Sequence, residues 1–265
     1  MADQPLYDAL IVRIFNNHHT NKGIQSFEFD RKEIESVASD LNVRLPKNLG
    51  DLIYSFRYRK ELPKEITATA TGEKIWVIAP AGRSKYRFCL SSASRIVPRP
   101  DLAAIKIPDA TPEIIAKYAL SDEQALLAKV RYNRLVDIFL GITTYSLQNH
   151  LRTTVKGMGQ IEIDEIYVGV NKNGRQFVIP VQAKGGSDQL AVIQTQQDLA
   201  CCAEKVPSLT CRAISAQFMS DEENTIAIFE LILEKDEVKV VEERHYRLVP
   251  SDTITAADLR SYANR

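Results

Sequence analysis

The sequence predicts an α/β domain with a mixed central sheet, preceded by a mainly helical domain, and three observations carry that prediction. Apolar residues recur at helical spacing through most of the first part, whereas strand-type runs and two helical runs fill the later part. Between the two patterns Pro98, Pro100, Pro108 and Pro112 cluster, and a residue with fixed φ and no N–H makes a poor element and a good linker. The boundary is therefore drawn at 108, giving domains over 1–108 and 109–265. With 265 residues, 45% hydrophobic and 26% charged, the chain has the composition of a folded globular protein rather than a disordered one.

Each element of the first domain has a local reason. Leu6, Leu10, Ile11 and Ile14 form one helical stripe. Residues 26–30 alternate as a short strand, and Asp30 caps a second helix to about Leu41, with Glu33 three residues on as in a capping box. A third helix begins near Asn48, with Leu49, Leu52, Ile53 and Phe56 inward. The runs EKIWVIAP and KYRFCLS read as two strands joined at Ala81, Gly82 and Arg83.

In the second domain a long helix is expected from Ser121-Asp-Glu-Gln, carrying Leu126, Leu127, Val130, Leu135, Ile138 and Phe139. An antiparallel hairpin follows, from Ile161 to Val170 and from Gln176 to Lys184, turning at Asn171-Lys-Asn-Gly174. After Gly185-Gly186-Ser-Asp comes a helix to about Glu204, then strands near 212–218, 225–233 and 238–241.

Composition narrows the function. The start, MADQPLYDALIV, lacks the basic lead and apolar run of a signal peptide, and no run of about 18 apolar residues occurs, so a cytoplasmic protein with no membrane partner is expected. Cys89, Cys201, Cys202 and Cys211 form no CxxC pair and have no His at ligand spacing, which points to free thiols. The net charge of zero hides a dipolar chain: residues 1–108 hold 17 basic against 12 acidic side chains, and residues 44–99 hold 12 against 4. Such a concentrated positive field suits a polyanionic partner, although a solvated basic face has the same composition.

The order helix, strand, helix, helix, hairpin resembles the winged helix variant of helix-turn-helix. That resemblance implies a third helix in the DNA major groove and a hairpin on the backbone. Asp51, Ser55, Tyr58 and Arg59 would then read bases, the hairpin cations Arg83, Lys85 and Arg87 would bind phosphates, and Arg57 of the third helix would also contact DNA. The same fold used for protein contact remains the alternative.

The chemistry concentrates in the hairpin of the second domain. Alternation puts Glu162 and Asp164 on one face of its first strand, and Gln182 and Lys184 on one face of its second, so the two polar pairs converge near the strand ends. The Asp164 carboxylate, the Gln182 amide oxygen and the Ala183 carbonyl are hard oxygen ligands of the kind Mg²⁺ takes. The Lys184 ammonium beside them can orient a water and steady charge on a phosphate. Asp164, a hairpin, then Gln182-Ala-Lys184 and a glycine-rich turn before a helix resembles the PD-(D/E)XK nuclease superfamily over roughly residues 120–220. Gln182 stands where that family has an acid, as in its Mrr-like branch, which weakens any second metal position. The resemblance implies an Mg²⁺-dependent endonuclease cutting double-stranded DNA, most like a type II restriction enzyme acting as a homodimer. It also implies a Glu from the preceding helix, for which Glu123 is the candidate. Glu162 is a further catalytic candidate; Glu165 faces the other way, and Gln194 and Gln197 lie on the following helix, read as a solvated face. A repair or junction-processing nuclease and a non-catalytic winged helix regulator are the other readings these residues leave open.

Overall fold

In the computed structural model, which describes residues 4–47, 49–118, 123–185, 188–219, 225–235 and 237–263, the chain is mixed α/β. Its residues fall into two units. One holds 1–95, 153–161 and 191–193; the other holds 96–152, 162–190 and 194–265. Asn48, Ser121, Asp122, Gly186 and Ser187, used in the readings above, lie outside the described residues.

The first unit is built from α1 (Gln4–His18), β1 (Ser26–Asp30), α2 (Arg31–Asp40), α3 (Leu49–Tyr54), α4 (Lys64–Thr67), β2 (Ile75–Pro80) and β3 (Lys85–Ser91). Its three strands lie in the order β1-β3-β2, antiparallel throughout. Asp30 caps α2 as its type predicts, accepting the Glu33 N–H at 3.1 Å. The Glu33 carboxylate is engaged elsewhere, by His18 Nε2 at 2.9 Å from both oxygens. Leu10, Ile11 and Ile14 are buried, but Leu6 is exposed, so the stripe starts one turn later than expected. Phe15 is the centre of an aromatic core, set edge-on to Trp76 at 5.0 Å and to Phe88 at 5.2 Å. After Tyr54 the third helix widens into a π-helical turn over Ser55–Arg59.

The second unit takes up the chain at residue 96, ahead of the boundary expected at 108. The reason is pairing: the two-residue strand β4 (Arg95–Ile96) is followed by β5 (Ile105–Pro108), a parallel neighbour of a strand some 140 residues later, Tyr246↔Ile105 to Val249↔Pro108. Then come α5 (Glu113–Tyr118), α6 (Glu123–Tyr132), α7 (Leu135–Leu140), β6 (Thr143–Val155), β7 (Gly159–Val170), β8 (Gln176–Lys184), β9 (Leu190–Ala191) and α8 (Val192–Lys205). The chain closes with β10 (Thr210–Cys211), β11 (Ala213–Phe218), β12 (Ile226–Glu234), β13 (Glu237–Val249) and α9 (Ala256–Tyr262). One eight-stranded mixed sheet results, in the order β5-β13-β12-β11-β8-β7-β6 with β10 also beside β8. β8 and β11 are parallel and joined through α8, whereas β7–β8, β11–β12 and β12–β13 are antiparallel.

The helix expected to run unbroken to Phe139 is two helices. Arg134 adopts a left-handed φ of 51°, and the buried Asn133 amide donates to Lys129 O at 3.0 Å and accepts the Ala110 N–H at 2.7 Å, so the break is satisfied locally. Leu126, Val130, Leu135 and Phe139 still reach one core, with Tyr167, Ile179, Val181, Ala183, Ile214 and Ile228 of the sheet. The expected hairpin turn is present: Gly174 has φ 78° and donates to Asn171 O at 2.9 Å. Among the described residues no helix is long and apolar enough to cross a membrane.

Candidate active site

Between β7 and β8 the backbone ladder runs from Val170↔Gln176 to Glu165↔Val181. Beyond that pair, side chains take over the rungs. The Asp164 carboxylate accepts the Ala183 N–H at 2.8 Å, and the Gln182 amide donates to Glu162 O at 3.1 Å. The strand ends therefore present a carboxylate where a carbonyl would sit. On the other side of β8 the parallel neighbour β11 continues the pairing, Ser215↔Gln182 and Gln217↔Lys184, so β8 is paired through its last residue.

Lys184 is 12% exposed and donates to Glu123 Oε1 at 2.8 Å. An ammonium this buried needs a carboxylate, and the first turn of α6 supplies one that is itself 39% exposed. Asp164, Lys184 and Glu123, which the sequence placed on three separate elements, are thus brought to one edge. Burial pushes the Asp164 carboxyl above its ordinary range; the Ala183 N–H and the Lys184 charge oppose the shift, and Glu123 and Glu162 add to it.

Gln182 is placed differently from the expectation. Its side chain is buried and fully engaged: Nε2 donates to Glu162 O and to Asp198 Oδ1 at 3.1 Å, and Oε1 accepts from Gln194 Nε2 at 3.4 Å. Its amide oxygen is thus turned toward α8. Gln197 is buried too, so this helix face is not the solvated one expected. Glu162 turns toward β6, to His150 Nδ1 at 2.9 Å and Arg152 Nε at 3.1 Å. Glu165, on the opposite face, is fully buried and paired with Arg131 Nε at 2.9 Å, which fastens α6 to β7 two turns beyond Glu123.

Asp198 was not foreseen. It is 2% exposed, lies on α8 against Gln182, and burial pushes its carboxyl well above the ordinary range, with the nearby Asp164 charge adding to the shift. Its only sequence signal is an acid within a helix whose inward face also carries Thr195 and Gln197.

The donor set fits one hard cation. Asp164 has one oxygen engaged by Ala183, leaving the other for a ligand; the Ala183 carbonyl is adjacent, and Glu123 and Glu162 add negative potential. Among the described residues no three His, Cys, Asp or Glu side chains group closely enough to hold a metal ion. An ion held there would have to keep most of its water, as Mg²⁺ does.

The basic residues of the first unit divide. Arg83, Lys85 and Arg87 are exposed on the β2–β3 hairpin, with Arg87 bound to Glu28 at 2.6 Å. Asp51 and Arg59 are exposed and Ser55 and Tyr58 partly so, Arg59 lying 5.2 Å over the Tyr54 ring. Arg57 points inward, its Nε donating to Ile78 O at 3.2 Å. No protein-family model matches the chain, and no curated protein does.

Proposed function

We propose that the chain is an Mg²⁺-dependent endonuclease of double-stranded DNA, of the PD-(D/E)XK kind, that cuts at a specific sequence as a type II restriction enzyme does. The observation that carries this reading is the meeting of Asp164, Lys184 and Glu123 where β7 and β8 part. The chain order supports it: helices α6 and α7, three adjacent strands β6, β7 and β8, crossover helix α8, then β11 parallel to β8. In the first unit, the order of helices and hairpin and the exposed Arg83, Lys85 and Arg87 support a winged helix that holds DNA.

Asp164 and the Ala183 carbonyl would hold the metal. The chemistry such an ion supplies is charge neutralisation on a phosphate oxygen and a more acidic bound water. Lys184 donates Nζ–H to the phosphate oxygen on which charge builds, and Glu123 fixes that ammonium in place. A water oxygen bonds to phosphorus and gives up a proton to solvent while the bond from phosphorus to the leaving sugar oxygen breaks, and the leaving oxygen takes up a proton from solvent. One such site cuts one strand, so a homodimer would cut both.

The test is digestion of a large unmethylated phage genome with Mg²⁺, beside an EDTA control and a Lys184→Ala protein. Discrete fragments from the wild type are expected, with the rate of Lys184→Ala lower by about 10²-fold or more. Intact DNA in every lane, with binding retained, would replace the nuclease with a DNA-binding regulator.

A further inference from the structure

A cleft of about 560 Å³ in the first unit is lined by the β2–β3 turn and by the β6–β7 turn, and all its lining residues belong to that unit. Its side chains include three cations, Arg57, Arg83 and Lys85, and no carboxylate. The remaining walls are of another kind: the Tyr86 ring and the Met158 thioether offer apolar faces, and Gln160 an exposed amide. Two glycines form the pinch. Gly82 and Gly159 both have positive φ, and a Cβ on Gly159 would stand 3.4 Å from Gly82 O. The Arg57 guanidinium is fixed by its bond to Ile78 O, while its Nη2 is buried without a hydrogen-bond partner.

We propose that this cleft binds one nucleotide, its phosphate among Arg57, Arg83 and Lys85, its base against Tyr86 and Met158, with Gln160 available to the base edge. The size falls within the roughly 300–1,000 Å³ of small-molecule sites. An anion alone would need no apolar wall, and an apolar ligand alone would not need three cations. The nucleotide has two sources, a residue turned out of a bound DNA strand or a free mononucleotide. For the first source the inference rests on the DNA reading above; for the chemistry of the cleft it does not. Enzymes that turn a nucleotide out of the helix hold it in this manner, between apolar side chains with polar groups at its edge.

The experiment is calorimetric titration of the full chain, without Mg²⁺, with thymidine 5′-monophosphate, thymidine, inorganic phosphate, and a DNA duplex with and without a central mismatch. The monophosphate is expected to bind at least about tenfold more tightly than thymidine or phosphate. Arg83→Ala and Gln160→Ala, both at exposed turn positions, are each expected to weaken it about fivefold or more, and Lys74→Ala, an exposed cation outside the cleft, to leave it unchanged. Tighter binding of the mismatched duplex, lost in Gln160→Ala, assigns the nucleotide to DNA. Monophosphate binding without that preference assigns it to a free nucleotide. Equal binding of monophosphate and phosphate, or no binding of either, overturns the proposal. Lys184→Ala keeps monophosphate binding, so failure of the nuclease reading leaves a different signature from failure of the cleft.

Discussion

Asp198 illustrates how a single side chain can be both costly and retained. Its folded-state pKa lies above the ordinary value, chiefly through burial. Below the ordinary carboxylate range both folded and unfolded chains are protonated, and the residue makes no difference. As pH rises through that range the unfolded chain releases its proton while the folded one holds it, so wild-type stability falls until the folded pKa is passed. The Asp198→Asn protein keeps an oxygen for the Gln182 amide and has no proton to lose. It should melt above the wild type at neutral pH and together with it in acid. A lower melting temperature at neutral pH would mean that the carboxylate is ionised and compensated. The placement of Asp164 beside Gln182-Ala183-Lys184 was legible because strand alternation fixes a face from two residues alone. Asp198 and the inward turn of Gln182 were not, because α8 buries Thr195, Gln197 and Asp198 alongside Val192, Ile193, Cys201 and Cys202, so polarity alone does not mark its inward face.

Among the elements, β7 shows sequence and packing most closely matched. Gly169 breaks its run of large residues because the neighbouring chain passes close: a Cβ there would meet Ile142 Cδ1 at 3.0 Å and Thr143 O at 3.2 Å. Gly169→Ala should therefore lower stability by about 1–3 kcal/mol, measured by urea unfolding, with an unchanged β-sheet signal. The hairpin of β7 and β8 could be read directly from its apolar runs and its Asn-Gly turn. β6 was not read, although it is one of the two longest strands: Tyr145 and Leu147 alternate along it but are exposed, as is most of Thr143–Val155, so no buried face marks it. β5 was hidden for another reason, since its partner β13 lies near the other end of the chain and its flanking prolines resemble a linker. The left-handed Arg134 likewise left no trace in a helical stripe that continues across it.

For the molecule as a whole, the hidden charge asymmetry sets how it should respond to ions. If the basic first part holds DNA phosphates, log affinity should fall linearly with log salt, by about 0.9 per neutralised phosphate, and Arg83→Ala should flatten the slope by about one. A slope near zero in filter binding would remove the electrostatic interface. The first unit takes in residues 153–161 and 191–193 as well as 1–95, and no local pattern announces these returns. A fragment ending at residue 95 should accordingly exchange the amide hydrogens of its Phe15–Phe88 core faster than the full chain does; equal protection would show that the two short returns are dispensable. The interleaving bears on heredity as well. A unit assembled from three stretches of one gene cannot be exchanged between relatives by a single recombination at residue 95. Change in this unit is therefore simpler by substitution within it, residue by residue, than by trading whole cassettes.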